Sequence, residues 1–283
     1  MSSALSGGVP AQSQFEQPAD WTSTLKAYVE PDWQEVVAGE FARGVSSGTW
    51  SVEAMRGWIV QVYPFIHTFP KFLAEALIKV EDDYSRSFLI DNIRVEKAHA
   101  EHWVWMGEGF GIPRAELMAF AEGDRPVLRD VQSLTDWIWY INAKGSLAEA
   151  VAATSFAIEG ATGDMARALL EGFTAYGSRP GVQMSPRTTK WLRNHAKYDD
   201  EHPVIALQVV AQYARTERER RKCMAAARRS LQLLSNALLI SARHYAAAGQ
   251  ADADQRSERR RAQRPIAFPD RRVRARGAVP KVA

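Results

Sequence analysis

The sequence contains a single cysteine, Cys223, among its 283 residues. One cysteine excludes an internal disulfide and a metal cluster built on several thiolates, and we expect a reducing, cytoplasmic environment. No uninterrupted apolar run approaches the roughly 18 residues that a membrane-spanning helix needs. Residues 1–17 are rich in Ser, Gly, Gln and Pro and lack the basic and apolar regions of a secretory signal. We therefore expect neither membrane insertion nor secretion.

The sequence also has little that favours β-structure, because residues 21–248 contain no convincing alternation of apolar and polar positions. Nearly all of this region has helical periodicity instead, and hydrophobic residues make up 46% of the chain, which is enough for a core. Ser51 is a predicted helix N-cap, and Ser146 with Glu149 forms a predicted capping box. We predict an all-α domain of seven or eight helices.

Prolines and glycines set the predicted helix boundaries. Pro31 is expected to open a helix that Gly44 closes, and Pro64 is expected to kink the second helix. A long helix is expected to end at Gly109. The predicted helices span residues 31–42, 52–68, 71–79, 82–109, 130–143, 146–173, a segment from Ser185 onward, and 221–247.

The net charge of +3 is unevenly distributed along the chain. Residues 255–283 contain ten Arg or Lys and two acids, so they carry +8, and the other 254 residues sum to −5. We predict a disordered segment over residues 1–20, a helical domain over 21–250 and a basic, disordered tail over 251–283. The tail could contact nucleic acid or acidic lipid, although a solvated extension is the expected state; otherwise we expect no nucleic-acid partner.

One group of polar residues follows the spacing i, i+4, i+7: His195, Asp199 and His202. On a helix that turns about 100° per residue, these side chains fall within about 60° of one another. Two imidazoles and a carboxylate on one face suit a cation such as Fe²⁺ or Mn²⁺. The alternative is an exposed polar face with two ordinary histidines.

A second group lies on the predicted helix 82–109, where Glu96 and His99 stand three residues apart. Glu-x-x-His is the arrangement that helical di-iron carboxylate sites use, and the late motif repeats this spacing as Asp-x-x-His. Glu101 and His102 are rival ligands on a neighbouring face. His102 precedes Trp103 and fits a packing position, so we favour the first pair.

A third candidate, Glu159, lies within the apolar run 150–160. Burying an unpaired charge is costly, so this carboxylate must be partnered or protonated. A bridging metal ion would satisfy it; an arginine partner or exposure on the outer helix face are the alternatives. The predicted ligands are therefore Glu96, His99, Glu159, His195, Asp199 and His202.

These residues resemble those of the haem-oxygenase-like di-iron oxidases, within the superfamily of thiaminase-II and pyrroloquinoline-quinone synthase-like proteins. Segment 92–103 (NIRVEKAHAEHW), with 109–112 (GFGI) at its end, looks like the family's ligand helix. The late motif, residues 195–202, is similar to the family's signature, and Glu159 lies at the expected place between the two. The resemblance covers roughly residues 33–247.

The resemblance implies a haem-oxygenase-like bundle of seven helices, usually a homodimer. It implies two iron ions held by the six predicted ligands, with dioxygen as co-substrate and manganese as another possible metal. Such proteins cleave, decarboxylate, desaturate or N-oxygenate small substrates, and an external electron donor is a possible partner.

Neighbouring branches of the superfamily supply alternative functions. Thiaminase-II relatives use a catalytic cysteine, but Cys223 follows a basic run near the final helix. The quinone-synthase branch needs no metal, and Tyr63, His67 and Arg56 could serve such a pocket. Tyr63, His67, Trp103 and Trp105 could equally border a substrate pocket beside iron. A non-catalytic ligand-binding protein on the same scaffold and a ferritin-like four-helix fold are further alternatives.

Overall fold

The computed structural model describes residues 21–198 and 202–262, and this part of the chain consists of helices joined by loops, without a strand. The all-α prediction is confirmed. None of the described helices is long and apolar enough to cross a membrane. The helices are α1 (Trp21–Ala38), α2 (Glu40–Ser46), α3 (Val52–Leu77), α4 (Asp83–Gly109), α5 (Arg114–Ala121), α6 (Arg129–Lys144), α7 (Leu147–Val151), a π-helical segment (Ala152–Glu159), α8 (Gly160–Ala175), a 3₁₀ turn (Tyr176–Ser178), α9 (Lys190–Tyr198), α10 (His202–Tyr213) and α11 (Glu217–Ala262).

Helix α3 lies at the centre of the bundle, where it packs against α4 and α11. The predicted break between residues 68 and 71 is wrong, because α3 continues through both Pro64 and Pro70. Phe65, Phe69 and Phe72 flank these prolines and are almost completely buried. Packing of these aromatic side chains on both sides of the prolines outweighs the lost backbone hydrogen bonds.

Two other predicted helix starts are also wrong. Helix α1 begins at Trp21, ten residues before Pro31, because Leu25 and Val29 are buried on the same helix face. Pro31 lies at an exposed position inside this helix. The Ser185 hydroxyl accepts a hydrogen bond from the Thr188 backbone N–H, but this interaction belongs to a turn, and α9 begins only at Lys190.

Helix α11 is longer than the sequence predicts. It continues to Ala262 and therefore beyond the predicted domain boundary at residue 250. Residues 251–262 are mostly Ala, Arg, Gln and Glu, which are good helix formers that extend a helix already anchored in the bundle. Helices α5 and α10 are not predicted from the sequence as separate elements.

The predicted caps are present. The Ser51 hydroxyl accepts a hydrogen bond from the Ala54 N–H, and Ser146 and Glu149 form the reciprocal capping box. At the start of α4, Asp82 Oδ1 accepts from the Ser85 N–H at 2.8 Å. Because these caps satisfy backbone donors locally, the sequence signals that predict them are reliable.

Replacing Asp82 by Ala should lower the free energy of unfolding by about 1–2 kcal/mol. Its carboxylate caps α4 and also accepts a hydrogen bond from the Tyr213 hydroxyl at 2.6 Å, so it ties α4 to α10. Urea unfolding followed by circular dichroism measures the change. Asp83→Ala is the matched control, because the Asp83 side chain is 96% exposed; equal losses in both variants would contradict the proposed capping role.

The π-helical segment packs against α10 and α11. All eight of its residues are buried, and several are small, among them Ala152, Ala153 and Ala157. Small side chains allow neighbouring helices to approach closely. Glu159, the last residue of the segment, is buried. π-Helical turns are rare and occur frequently at functional sites, which draws attention to this carboxylate.

Candidate metal centre

Three predicted ligands from two helices converge inside the bundle. Glu96 and His99 lie on α4 and His195 lies on α9, and their ligand-capable atoms are all within 4.8 Å of one another. The three side chains are buried, with residue exposures of 5%, 2% and 4%. The i, i+3 spacing on α4 sets the first pair, whereas the approach of α9 to α4 depends on tertiary packing.

The orientation of the two imidazoles leaves nitrogen lone pairs for a ligand. His195 Nδ1 donates to the Trp191 carbonyl oxygen at 3.0 Å, so Nε2 carries the free lone pair. His99 Nδ1 lies 2.9 Å from Glu96 Oε1. The rings of His99 and His195 are 4.1 Å apart at their centroids. Backbone and carboxylate partners of this kind fix the ring orientation of metal-binding histidines.

Glu159 and His202 form a second pair beside this cluster. Glu159 Oε2 is 3.7 Å from His202 Nδ1, and Asn92 Nδ2 donates to both Glu159 carboxylate oxygens at 2.9 Å. Glu159 is only 4% exposed, so the alternative of an exposed outer face is wrong. Its observed partners are an imidazole and an amide. Asp199, the remaining predicted ligand, lies outside the described residues.

Burial sets the protonation of this group. It raises the pKa of Glu96 to about 7, against the opposing influence of His195 and His202. Burial also raises the pKa of Glu159 to about 7, although hydrogen bonds from His202 and Asn92 oppose it. The same loss of solvation lowers the pKa of both His99 and His195 to about 3. The imidazoles are therefore neutral, and no lysine or arginine of residues 21–198 and 202–262 is recorded in an ion pair with either buried carboxylate.

The residues present fit a metal ion. A divalent cation would offset the desolvation of two carboxylates and would accept the lone pairs of neutral imidazoles. Mixed carboxylate and imidazole donors suit iron, and helical di-iron sites use such sets. The Asn92 Oδ1 atom is buried without a hydrogen-bond partner among the described residues. A buried polar atom without a partner is unfavourable, and a bound ion with its water ligands could supply one.

The rival ligands Glu101 and His102 are not part of the converging group of Glu96, His99 and His195. The Glu101 carboxylate binds the Arg114 guanidinium at 2.6 Å and accepts from the Trp105 indole at 2.7 Å. The centroid of the His102 ring is 5.9 Å from that of His99, and its Nδ1 accepts from the Asn194 amide at 3.3 Å. These contacts account for Glu101 and His102 without a metal ion.

An apolar cavity of about 30 Å³ opens beside the cluster, with room for one or two water-sized molecules. Four aromatic residues are expected from the sequence to border a pocket. Trp103 lines this cavity, whereas its described lining does not include Tyr63, His67 or Trp105. Arg56 instead donates to the Phe110 carbonyl. The lining residues are Trp58, Val62, Phe65, Ile66, Phe69, Glu96, Trp103, Ile158, Glu159, Thr162, Met165, Trp191, His195, Leu234 and Leu238.

Asn92 and the Trp191 carbonyl hold the candidate ligands Glu159 and His195 in place, and the sequence predicts neither contact. Asn92 lies one helical turn before Glu96 in the resemblance motif, and this position was the available signal. The role of the Trp191 carbonyl follows from i, i+4 spacing to His195, but every helix contains such pairs. The sequence alone could not have distinguished it.

Asn92→Ala should weaken Fe²⁺ binding by about tenfold, because loss of a hydrogen-bond partner behind a ligand typically costs 10- to 100-fold in affinity. Without the amide, the Glu159 carboxylate loses its fixed orientation. Anaerobic titration with Fe²⁺ measures the affinity. Asn194→Ala is the matched control, because Asn194 contacts His102 and not Glu159; an unchanged affinity in Asn92→Ala would remove Asn92 from the site.

Cys223 does not have the properties of a catalytic nucleophile. It is completely buried on α11. Burial raises the pKa of its thiol to about 12, and Glu149 and Glu219 contribute in the same direction. Because the thiolate is the reactive form, this cysteine is inert at neutral pH.

Comparisons with known proteins agree with this picture. The sequence profile of a family described as iron-containing redox enzymes matches residues 56–235. A TenA homologue from Pseudomonas syringae has a similar structure, with a TM-score of 0.71, 27% identity, and coverage of 80% of this chain and 93% of that chain. No curated protein sequence matches the chain.

Two more distant structures establish the fold. A domain with a haem-oxygenase-like fold from Shewanella denitrificans has a TM-score of 0.67 and 17% identity, over 79% of this chain and 93% of that chain. A putative TenA-like thiaminase from Sulfolobus solfataricus has a TM-score of 0.57 and 13% identity, over 77% and 95%. The family profile matches well over half of the sequence, and the chain therefore belongs to the family of iron-containing redox enzymes with a haem-oxygenase-like fold.

Proposed function

We propose that this protein is a non-haem di-iron enzyme that activates dioxygen to oxidise a small organic substrate. The observation that carries the proposal is the convergence of buried Glu96, His99 and His195 beside the Glu159–His202 pair. Four of the predicted ligands are buried and His202 is 20% exposed beside Glu159, and family membership supports iron as the metal.

Two neighbouring groups of predicted ligands support the proposal of two ions. Glu96, His99 and His195 would hold one iron. Glu159 and His202, with Asp199 as the predicted third ligand, would hold the other. The charge of Glu96 raises the pKa of Glu159, so the two carboxylates are close enough to interact. Helical di-iron sites take their carboxylate and imidazole ligands from several helices, as these residues would.

The surrounding residues prepare the site for this chemistry. Bound ferrous iron would supply electrons to dioxygen. The Trp191 carbonyl accepts a hydrogen bond from His195 Nδ1–H, so the proton stays on Nδ1 and the Nε2 lone pair is available to bind a metal ion. Asn92 holds Glu159 through both carboxylate oxygens. A preset geometry of this kind lowers the cost of ordering the ligands around the metal.

The apolar cavity beside the candidate ligands, about 30 Å³, has room for dioxygen, and an organic substrate would need the surrounding side chains to move apart. Apart from Glu96, Glu159 and His195, its described lining is almost entirely aliphatic and aromatic. Such walls exclude water, which limits side reactions of an oxidising centre. A homodimer and an external electron donor remain predictions of the sequence analysis.

The proposal is tested by anaerobic titration with Fe²⁺, followed by exposure to oxygen. We expect close to two iron ions per chain, a ferric absorbance after oxygen is added, and oxygen uptake that depends on iron. Titration with Mn²⁺ under the same conditions distinguishes the two metals. Absence of tight iron binding, or oxygen uptake that survives a chelator, would contradict the proposal and favour a metal-independent enzyme or a ligand-binding protein.

A further inference from the structure

Three tryptophan rings form a continuous line that begins at one of the candidate ligands. The Trp191 ring lies 4.0 Å from the His195 ring at the centroids. Trp191 packs edge-on against Trp103 at 4.7 Å, and Trp103 packs against Trp58 at 5.1 Å. These indoles come from α9, α4 and α3, so tertiary packing assembles the line. We call Trp191, Trp103 and Trp58 the indole relay.

The relay is shielded from bulk solvent, and no strong base among the described residues forms a hydrogen bond with its indole N–H groups. The exposures of Trp58, Trp103 and Trp191 are 0%, 1% and 2%. Within the described part of the chain, the Nε1 atoms of Trp58 and Trp191 have no hydrogen-bond partner. Trp103 Nε1 donates to the Ile59 carbonyl oxygen, which is too weak a base to take a proton. An indole in this relay can therefore lose an electron but has no partner to which it can lose its proton.

Packing alone does not explain why three indoles are buried here. A buried N–H group without a partner is unfavourable and calls for a physical explanation, and phenylalanine or leucine would fill a core without it. Indole is the most easily oxidised of the aromatic side chains that commonly fill protein cores, and electron transfer between rings in contact is fast because tunnelling decays steeply with distance. Both properties are useful beside a centre that generates oxidants.

We propose that the indole relay donates an electron to the metal centre when dioxygen is activated without substrate. This inference rests on the proposed function. One electron passes from Trp191 to the oxidised centre, which is thereby reduced by one equivalent; Trp103 and Trp58 share the resulting positive charge. No proton leaves the relay. An external one-electron reductant of the thiol or ascorbate class returns the missing electron.

The consequence is protection of the ligands. An oxidant that persists in the absence of substrate would otherwise attack His195 and His99. With the relay present, the oxidising equivalent moves away from the imidazoles, along three rings that hold it reversibly. The charge remains a tryptophan cation radical rather than a neutral radical, because the N–H protons stay in place.

The test uses the full chain loaded with Fe²⁺ anaerobically, then mixed with oxygen without substrate and frozen within the first turnover. Electron paramagnetic resonance should detect a tryptophan cation radical, identified by its response to deuterated tryptophan. In Trp191→Phe the signal should fall to background, and peptide mass spectrometry should find more oxidised His195 and His99. Trp105→Phe is the control, because Trp105 contacts His102 rather than His195, and it should keep the signal.

The outcomes separate the two proposals. Failure to bind iron or to consume oxygen overturns the proposed function and the relay with it. Iron binding and oxygen uptake without a tryptophan radical overturn the relay alone. A radical that persists in Trp191→Phe but is lost in Trp105→Phe also overturns it, because the electron would then travel through His102 and Trp105, whose rings are 5.1 Å apart.

A second readout needs no metal. Coupling between indoles in contact should give an exciton couplet in the circular dichroism of the metal-free protein. Trp103→Phe removes the central ring and should abolish the couplet, whereas Trp139→Phe, on the surface of α6, should not. An unchanged spectrum in Trp103→Phe would show that the rings are not coupled in solution and would overturn the relay even if Trp191→Phe failed to fold.

Discussion

Replacing His195 by Ala is expected to abolish iron binding and iron-dependent oxygen consumption. His195 is the one described ligand that α9 contributes to the three-residue cluster, and its Nε2 lone pair is free. Without it, Glu96 and His99 lack the third donor. The loss of iron affinity should exceed the roughly 10- to 100-fold that follows loss of a partner behind a ligand. Iron content after desalting, together with oxygen uptake, measures the effect.

Two histidine variants serve as controls for this experiment. His244→Ala changes an exposed histidine on α11 and should leave iron content unchanged. His102→Ala removes the rival ligand and should retain two iron ions. Circular dichroism of His195→Ala checks that its helices still form, and His195→Gln offers a substitution closer in size. Normal iron content in folded His195→Ala would defeat the metal site as assigned.

Iron affinity should fall by about 100-fold when the pH is lowered from 8 to 6. In the metal-free protein burial raises the pKa of Glu96 and of Glu159 to about 7. Both carboxyls therefore hold protons below pH 7, and iron must displace them. Each contributes about tenfold over this interval. His99 and His195, with pKa values of about 3, stay neutral throughout and add nothing.

The dependence is measured by Fe²⁺ titration at several pH values, with helical content checked at each. Glu96→Gln removes one titrating group and should reduce the fall in affinity between pH 8 and pH 6 from about 100-fold to about tenfold, besides weakening binding. Glu101→Gln is the matched control, because Glu101 is paired with Arg114 away from the cluster. Affinity that is constant between pH 6 and 8 would mean that these carboxyls are already ionised, and hence that they lie in a more polar site.

Much of the fold could be predicted because helix signals are local. Ser51 and Ser146 act within one helical turn, so their caps follow from a few neighbouring residues. The helix break predicted at Pro70 is wrong. Pro70 remains inside α3 because burial of the flanking aromatic side chains compensates for the lost hydrogen bond, and that burial depends on the packing of the whole bundle.

In the candidate site, too, some features follow from local spacing and others depend on tertiary packing. The pairing of Glu96 with His99 depends only on i, i+3 spacing and could be predicted directly. The single helical face predicted for residues 195–202 includes residues 199–201, which lie outside the described residues, so it stays a prediction. His202 meets Glu159 through the packing of α10 on the π-helical segment, which the sequence did not predict.

By itself, the sequence determined the helical class, the capped helix ends and the pairing of the candidate ligands Glu96 and His99 on α4, because each depends on side chains within one turn of backbone. Only the tertiary structure decided which carboxylates and imidazoles meet, which of two neighbouring pairs on α4 faces the interior, and that three indoles line up behind His195. Those features depend on how α3, α4, α9 and the π-helical segment pack, and hydrophobic burial sets that packing over the whole chain at once.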